Sequence, residues 1–264
     1  MTYLRHPYQL DELDQDAILE DVSGGRVERL ASAYLTNINF NEYDHLVLAT
    51  DCRTERTVGM LGLHEGNTGQ EDFLHLRTAF IAPAARGRGI MDRMTTHALL
   101  RVASFAPVPQ VIAARTSNPT WFRSLRQLSQ RFAGSVFFPD HHHPAIRLDS
   151  VKLARRLAGK LAPNLHFETG TATLRGGRIA AGLLHGSAKN RPPSKDPRID
   201  ALFGQHLQPA DQMLLTIDLR AQNENAILAT ARRIYRMRDG ARVQIAFAIG
   251  ALADFLLSAT ALMA

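Results

Sequence analysis

Hydrophobic and polar positions along the chain alternate between two periods. Leu13, Ala17, Leu19 and Val22 recur at helical spacing, and after a Gly24-Gly25 break so do Val27, Leu30, Ala31, Tyr34 and Leu35. These positions predict helix within residues 10–43. His45 to Thr50 and Thr57 to His64 are short extended runs around the polar stretch Arg53 to Arg56, the pattern of a hairpin. Gly66-Asn67-Thr68-Gly69 reads as a loop. Phe73 to Ile81 predicts a third strand stopped by Pro83, and a helical pattern runs from Ile90 to about Val102. Val108 to Arg115 reads as a strand broken at Thr116-Ser117-Asn118-Pro119. Trp121 to Phe132 reads as a helix, with Pro119 tolerated at its first turn. Ser135 to Phe138 reads as a short strand.

Beyond residue 150 the pattern changes. Val151 to Leu161 predicts an amphipathic helix, with Leu153, Ala154, Leu157 and Ala158 set against Lys152, Arg155, Arg156 and Lys160. Asn164 to Leu174 and Arg178 to His185 read as strands around Gly176-Gly177, and Lys189 to Pro197 as a charged, proline-rich loop. A short helix over Ile199 to His206, a buried strand over Gln212 to Leu219 and a basic helix over Asn223 to Arg238 follow. Val243 to Ala264 holds 17 apolar residues in 22. Asp254 sits at its middle, and a central Asp costs roughly 2.5–3.5 kcal/mol on insertion scales. A buried helix, packed on its own chain or on a homodimer partner, is therefore preferred to a membrane span.

Charge divides the chain at the same place. Residues 1–150 carry 15 Arg against 17 Asp and Glu, a net of −2; residues 151–264 carry 16 Lys and Arg against 8 acids, a net of +8. The expectation is two units, 1–149 and 150–264, the second a basic α+β extension. A solvated basic face explains the excess more simply than nucleic-acid binding, which is not expected. The single cysteine, Cys52, excludes an intramolecular disulfide and a cysteine-based zinc cluster. Residues Met1 to Asp16 are polar and carry no secretory signal pattern, so a cytoplasmic location is expected.

The candidate chemistry lies between Phe73 and Leu100. There a strand leads through Arg86-Gly87-Arg88-Gly89 into a helix. The first amides of a helix lack intrahelical partners and face forward, where the helix dipole favours negative charge. Gly87 and Gly89 permit close approach of a ligand to the backbone, and Arg86 and Arg88 supply donors suited to phosphate. The order of strand, Ile81-Ala82-Pro83, and Arg86, Gly89 and Met91 at the three defined positions of the turn resembles the acetyl-CoA signature of the GNAT N-acetyltransferase superfamily. Met91 departs from the usual Gly or Ala, and its side chain would crowd the pyrophosphate. The resemblance covers roughly residues 44–135.

That resemblance implies an α/β fold: a mixed sheet, splayed in the middle and flanked by helices, with the 150–264 region added. It implies acetyl-CoA as co-substrate, held by Arg86, Gly87, Arg88, Gly89, Ile90 and Met91. The pantetheine arm would pair with the strand edge at Phe80 and Ile81, and Asn118 would face its thiol end. His75 occupies the position where many members carry a catalytic Glu or Asp. A histidine there is suited to take a proton from an acceptor amine at neutral pH. Glu71 and Asp72 are the next candidates. The tyrosine that many members place in the following helix is missing from residues 119–134, which leaves the general acid unassigned.

Asp140-His141-His142-His143 is not expected to hold a metal, because adjacent histidines on an extended chain point to opposite sides. The expected activity is acetyl transfer to an amine by direct attack in a ternary complex. The alternatives are a CoA-binding regulatory module without turnover and a membrane-associated transferase of longer acyl chains.

Overall fold

The computed structural model describes residues 1–5, 7, 10–23, 39–140, 148–176 and 193–237. Strands β1 (Thr2–Arg5), β2 (His45–Thr50), β3 (Thr57–Asn67), β4 (Asp72–Ile81), β5 (Val111–Thr116), β6 (Val136–Phe138), β7 (His166–Glu168), β8 (Thr173–Arg175) and β9 (Gln212–Asp218) form one sheet. Its order is β1-β2-β3-β4-β5-β9-β8-β7, with β6 on β9. The pairing of β4 with β5 is parallel and the other pairings are antiparallel. Helices α1 (Glu12–Ser23), α2 (Ile90–Val102), α3 (Pro119–Arg131), α4 (Leu148–Leu161), α5 (Pro197–His206) and α6 (Glu224–Arg236) flank it. The expected class, a mixed sheet flanked by helices, is the one observed.

Local rules account for the elements. In α2 the buried positions Ile90, Met94, Ala98, Leu99 and Val102 follow the helical period and face the sheet. Asn118 caps α3 by accepting from the Thr120 amide at 2.9 Å, and Asn223 caps α6 by accepting from Ala226 at 2.8 Å. The strands alternate. Leu46, Leu48 and Met60 join Ile18 and Val22 of α1, with Phe40 and Tyr43, in a small cluster on one face. Val47, Leu61, Leu63, Leu74 and Leu76 belong to the main core with α2 and α3. The N-terminal strand β1 has no counterpart in the sequence reading; it pairs Thr2 with Leu48 and Arg5 with His45.

The two regions separated at residue 150 share this sheet. β9 runs antiparallel to all of β5, from Thr116 opposite Met213 to Val111 opposite Asp218, and its other edge holds β6 and β8. α6 packs along α2, α5 on α3, and α4 across β6 and β9. A boundary at 149/150 therefore runs through paired strands and a common core. The strand expected over Arg178 to His185, the three histidines 141–143 and the apolar segment 243–264 lie outside the described residues. No helix among the described residues is long and apolar enough to cross a membrane.

Glu71 ties the two regions together. Its carboxylate is buried and accepts from Arg156 of α4, from Arg220 after β9 at 2.8 Å and from Thr68 at 2.5 Å. Burial alone would raise its pKa. The hydrogen bonds from Thr68 and Arg156 and the charges of Arg156 and Arg220 outweigh that and hold it below the usual carboxylate range. A Glu71→Gln variant should lose about 1.5–3 kcal/mol of stability at pH 7, the scale of hydrogen bonds to charged groups. The lower end is expected, because both arginines are about one-third exposed. Because the folded pKa is depressed, this contribution is complete at neutral pH and fades as pH falls through the acid range. Urea midpoints at pH 7 and at pH 3 check it: the gap between the proteins should narrow at the lower pH.

Candidate functional site

β4 builds the site because it changes partners along its length. It pairs with β5 only from Phe73 opposite Val111 to Leu76 opposite Ala114. β5 continues through Arg115 and Thr116 paired to β9, and among the described residues no strand pairs with residues 77–81 of β4 on that side. The sheet thus opens at Leu76. On its other edge β4 carries a bulge: Leu76 lies opposite Leu63 and Thr78 opposite Gly62, so Arg77 is the extra residue.

The open edge leads directly into the turn. The Ala82 amide donates to Val58 O at 2.9 Å, and Pro83–Ala85 forms one 3-10 turn. Gly87 (φ 77°) and Gly89 (φ 65°) are left-handed, a conformation that costs other residues about 1–2 kcal/mol. Gly89 stands at the N-cap of α2. Arg86 to Gly89 are exposed, and a Cβ at Gly87 would meet nothing within 4 Å. The Arg86 Nε is committed to the carbonyl of Ile81 at 3.1 Å, so this residue ties the turn to the end of β4. Ile90 is buried beneath the turn. Met91 is partly buried, with its side chain packed against the main core. Ile81 packs beside Ile90 and Met94 over Gly59, where a Cβ would come within 3.1 Å of Ile81 Cδ1. Phe80 turns to the opposite face and joins the cluster of α1.

Asn118 lies at the end of β5, beyond the opening. Its Oδ1 caps α3 and its amide donates to Thr116 Oγ1 at 2.8 Å. Residues from the C-terminal region border it. The Arg123 Nη1 donates to Ser194 O at 2.9 Å and Thr120 Oγ1 to Pro193 O at 3.4 Å. No local pattern in the sequence signals this docking.

His75 is buried within the paired part of β4, with Nε2 lacking a hydrogen-bond partner among the described residues. Even spacing would put it on one face with Arg77, Ala79 and Ile81. The bulge instead sets Thr78 on the face of His75 and turns Ala79 and Ile81 toward α2. The His64 ring lies nearly parallel to His75, with centroids 6.2 Å apart. His64 Nε2 accepts from Arg77 Nη1 at 2.9 Å, because an arginine only donates. Its Nδ1 therefore carries the hydrogen, directed at Asp44 Oδ2 at 3.3 Å. Arg77 also pairs with Glu42. Burial pushes the His75 pKa well below its ordinary value, and the charges of Arg115, His64 and Arg77 add to the effect. The imidazole is consequently neutral at pH 7.

Glu71 and Asp72 sit at the start of β4, away from the turn. Glu71 is engaged by its arginines, and the Asp72 Oδ1 accepts from Asn67 Nδ2 at 2.6 Å. In α3 the position of the missing tyrosine offers Trp121 and a core phenylalanine, Phe122. A tyrosine from elsewhere, Tyr43, reaches the bulge and donates to Thr78 Oγ1 at 2.8 Å. Among the described residues no group of three or more His, Cys, Asp or Glu could hold a metal ion.

No family model matches the chain, and no curated protein matches it. Among solved structures it is similar to a chain of the NatB acetyltransferase complex bound to a bisubstrate inhibitor, at 13% identity and a TM-score of 0.33, over 52% of this chain and 73% of that one. At that level the likeness carries no argument, and the functional reading rests on the chain's own residues.

Proposed function

We propose that this chain is an acyl-CoA-dependent N-acyltransferase, with acetyl-CoA as the co-substrate and an amine as the acceptor. One observation carries the reading: the strand edge at 77–81 is open among the described residues and runs directly into a left-handed glycine turn at the start of α2. An extended amide-bearing arm can pair with such an edge as an added strand. The turn and the first amides of α2 suit the charged end of the same ligand. The residues fit that ligand, because the turn is exposed, Gly87 leaves open space and Met91 packs against the core.

The residues that would hold CoA are the backbone of Gly87 to Met91 with Arg88, and the edge at Phe80 and Ile81. Arg86 keeps the turn fixed to β4 through the Ile81 carbonyl. Acetyl-CoA supplies the activated acyl group. Backbone donors near Ile81 polarise the carbonyl. His75, neutral at pH 7, takes the proton from the acceptor nitrogen. The second reading, a CoA-binding module without turnover, is favoured by one observation: residues 119–134 hold no tyrosine to serve as acid. Incubation with labelled acetyl-CoA and a panel of amines separates the two.

The turn has its own test. Gly89→Phe forces a bulky side chain into a left-handed position in front of the helix amides. Losing two charge-assisted hydrogen bonds at about 1.5–3 kcal/mol each corresponds to a loss in CoA affinity of about 10²-fold or more. Calorimetric titration of the folded variant reads this directly. An unchanged affinity would remove the turn from the site.

A further inference from the structure

The site holds a buried hydroxyl pair that the mechanism above leaves unused. Tyr43 precedes β2 and packs its ring edge-on to Phe40, with centroids 6.2 Å apart. The ring lies over Gly62, where a Cβ would stand 2.6 Å from Tyr43 Cε1, so the missing side chain of β3 makes its seat. The Arg77 guanidinium lies 6.0 Å from the ring centroid. From this seat the Tyr43 hydroxyl donates to Thr78 Oγ1 at 2.8 Å. Both side chains are only 4% exposed.

Thr78 is the first residue past the bulge, two residues beyond the last pairing of β4 with β5, and it shares the face of His75. A threonine hydroxyl has one hydrogen to give. Since Oγ1 accepts from Tyr43, that hydrogen is left to point elsewhere. Among the described residues the bond from Tyr43 is the only hydrogen bond of this side chain. A buried donor without an acceptor is costly, so the position calls for an acceptor atom. An amine brings N–H donors to the site. A thioester brings a carbonyl oxygen. His75 and Thr78, side by side on one face, offer one proton acceptor and one hydrogen donor, complementary to those two reactants.

We propose that the Thr78 hydroxyl, oriented by Tyr43, is a hydrogen-bond donor to the acyl carbonyl oxygen of the bound thioester. The proposal rests on the acyl-CoA reading. In the reaction the acceptor nitrogen bonds to the carbonyl carbon, the carbon–sulfur bond breaks and its electron pair leaves on sulfur. The nitrogen's proton goes to His75. Thr78 keeps its hydrogen throughout and acts by polarising the oxygen. Tyr43 is a positioning residue.

The test reads the carbonyl itself. Acetyl-CoA labelled with carbon-13 at the carbonyl is bound to the full chain, and its carbon-13 resonance and infrared carbonyl stretch are recorded. The wild type and Thr78→Ser should move the resonance downfield and lower the stretch. Thr78→Val should return both toward the values of free acetyl-CoA, and Tyr43→Phe should return them part of the way. Steady-state rates should follow: about 10²–10³-fold lower kcat for Thr78→Val, the scale of losing one such donor, with KM for acetyl-CoA little changed and recovery in Thr78→Ser. If the wild type does not bind acetyl-CoA, the acyl-CoA reading and this proposal fall together. If it binds and the carbonyl signals are the same in wild type and Thr78→Val, only the role of Thr78 is overturned. Should Thr78→Val fail to fold, an unchanged carbonyl signal in Tyr43→Phe overturns it equally.

Discussion

A chain cut after residue 149 is expected not to fold. The cut removes β9, whose residues Met213, Leu214, Leu215 and Ile217, with Leu219 just after it, are at most 1% exposed. Burying five such side chains contributes about 7–15 kcal/mol, using 1.5–3 kcal/mol for each. That matches the whole stability of an ordinary domain, about 5–15 kcal/mol. The cut also leaves β5 with an unpaired edge and deprives β6 of its strand partner. It releases Glu71, which is buried, from Arg156 and Arg220. Far-UV circular dichroism and amide proton dispersion of the 1–149 fragment are the measurements. A fragment that melts cooperatively and binds CoA would show that the first region is self-sufficient. The complementary fragment, 151–264, holds in its described part no group of three or more His, Cys, Asp or Glu that could hold a metal ion, its carboxylates Glu168 and Asp211 are both engaged by Arg175, and it is expected to show no turnover.

Replacing His75 should separate binding from chemistry. If the chain transfers acyl groups, His75→Ala should lower kcat by about 10²–10⁴-fold, the usual range for general-base assistance. CoA affinity should survive, because the turn from Arg86 to Met91 is untouched. The loss should shrink at high pH, where the acceptor amine is already free of its proton. Burial holds the His75 pKa well below 6.5, so its accepting form persists as pH falls from 7 to 6.5. The wild-type rate should therefore show no loss near pH 6.5 that belongs to this group. Rate profiles of wild type and variant with one amine decide the matter; equal rates at neutral pH would make His75 a structural residue.

The same depressed pKa has a stability consequence of the same direction as that of Glu71, at higher pH. Above about pH 6.5 His75 is neutral in both folded and unfolded chains and adds no pH dependence. Below that value the unfolded chain takes up the proton first, and stability falls until the lower folded pKa is reached. His97, held at about 4 chiefly by burial, and His45, also lowered chiefly by burial, act in the same direction. His75→Ala should remove only its own share of this acid slope.

Much of the strand-turn-helix was legible in the residue order because its causes are local. β2 and α2 have the limits that the periodicity predicts, His45–Thr50 and Ile90–Val102. Pro83 ends the strand, Gly87 and Gly89 take positive φ in the turn before α2, and Asn118-Pro119 starts α3. Each of these follows from one residue's backbone preference or from a repeat shorter than two turns.

What tertiary structure decided is who meets whom. Hydrophobic alternation marks Gln212–Asp218 as a buried strand but does not say that it enters between β5 and β6; that is settled by pairing across about a hundred residues. The bulge at Arg77 changes which residues share the face of His75, because one extra residue reverses the parity of everything after it. Glu71, a catalytic candidate from the residue order, is buried where Arg156 and Arg220 come from distant elements to meet it. Tyr43 and Thr78, 35 residues apart, touch only because Gly62 leaves room for the ring between them. Local propensity determines the shape of each piece. Contacts between side chains far apart in sequence depend on the register and order of the sheet, and these are properties of the whole fold.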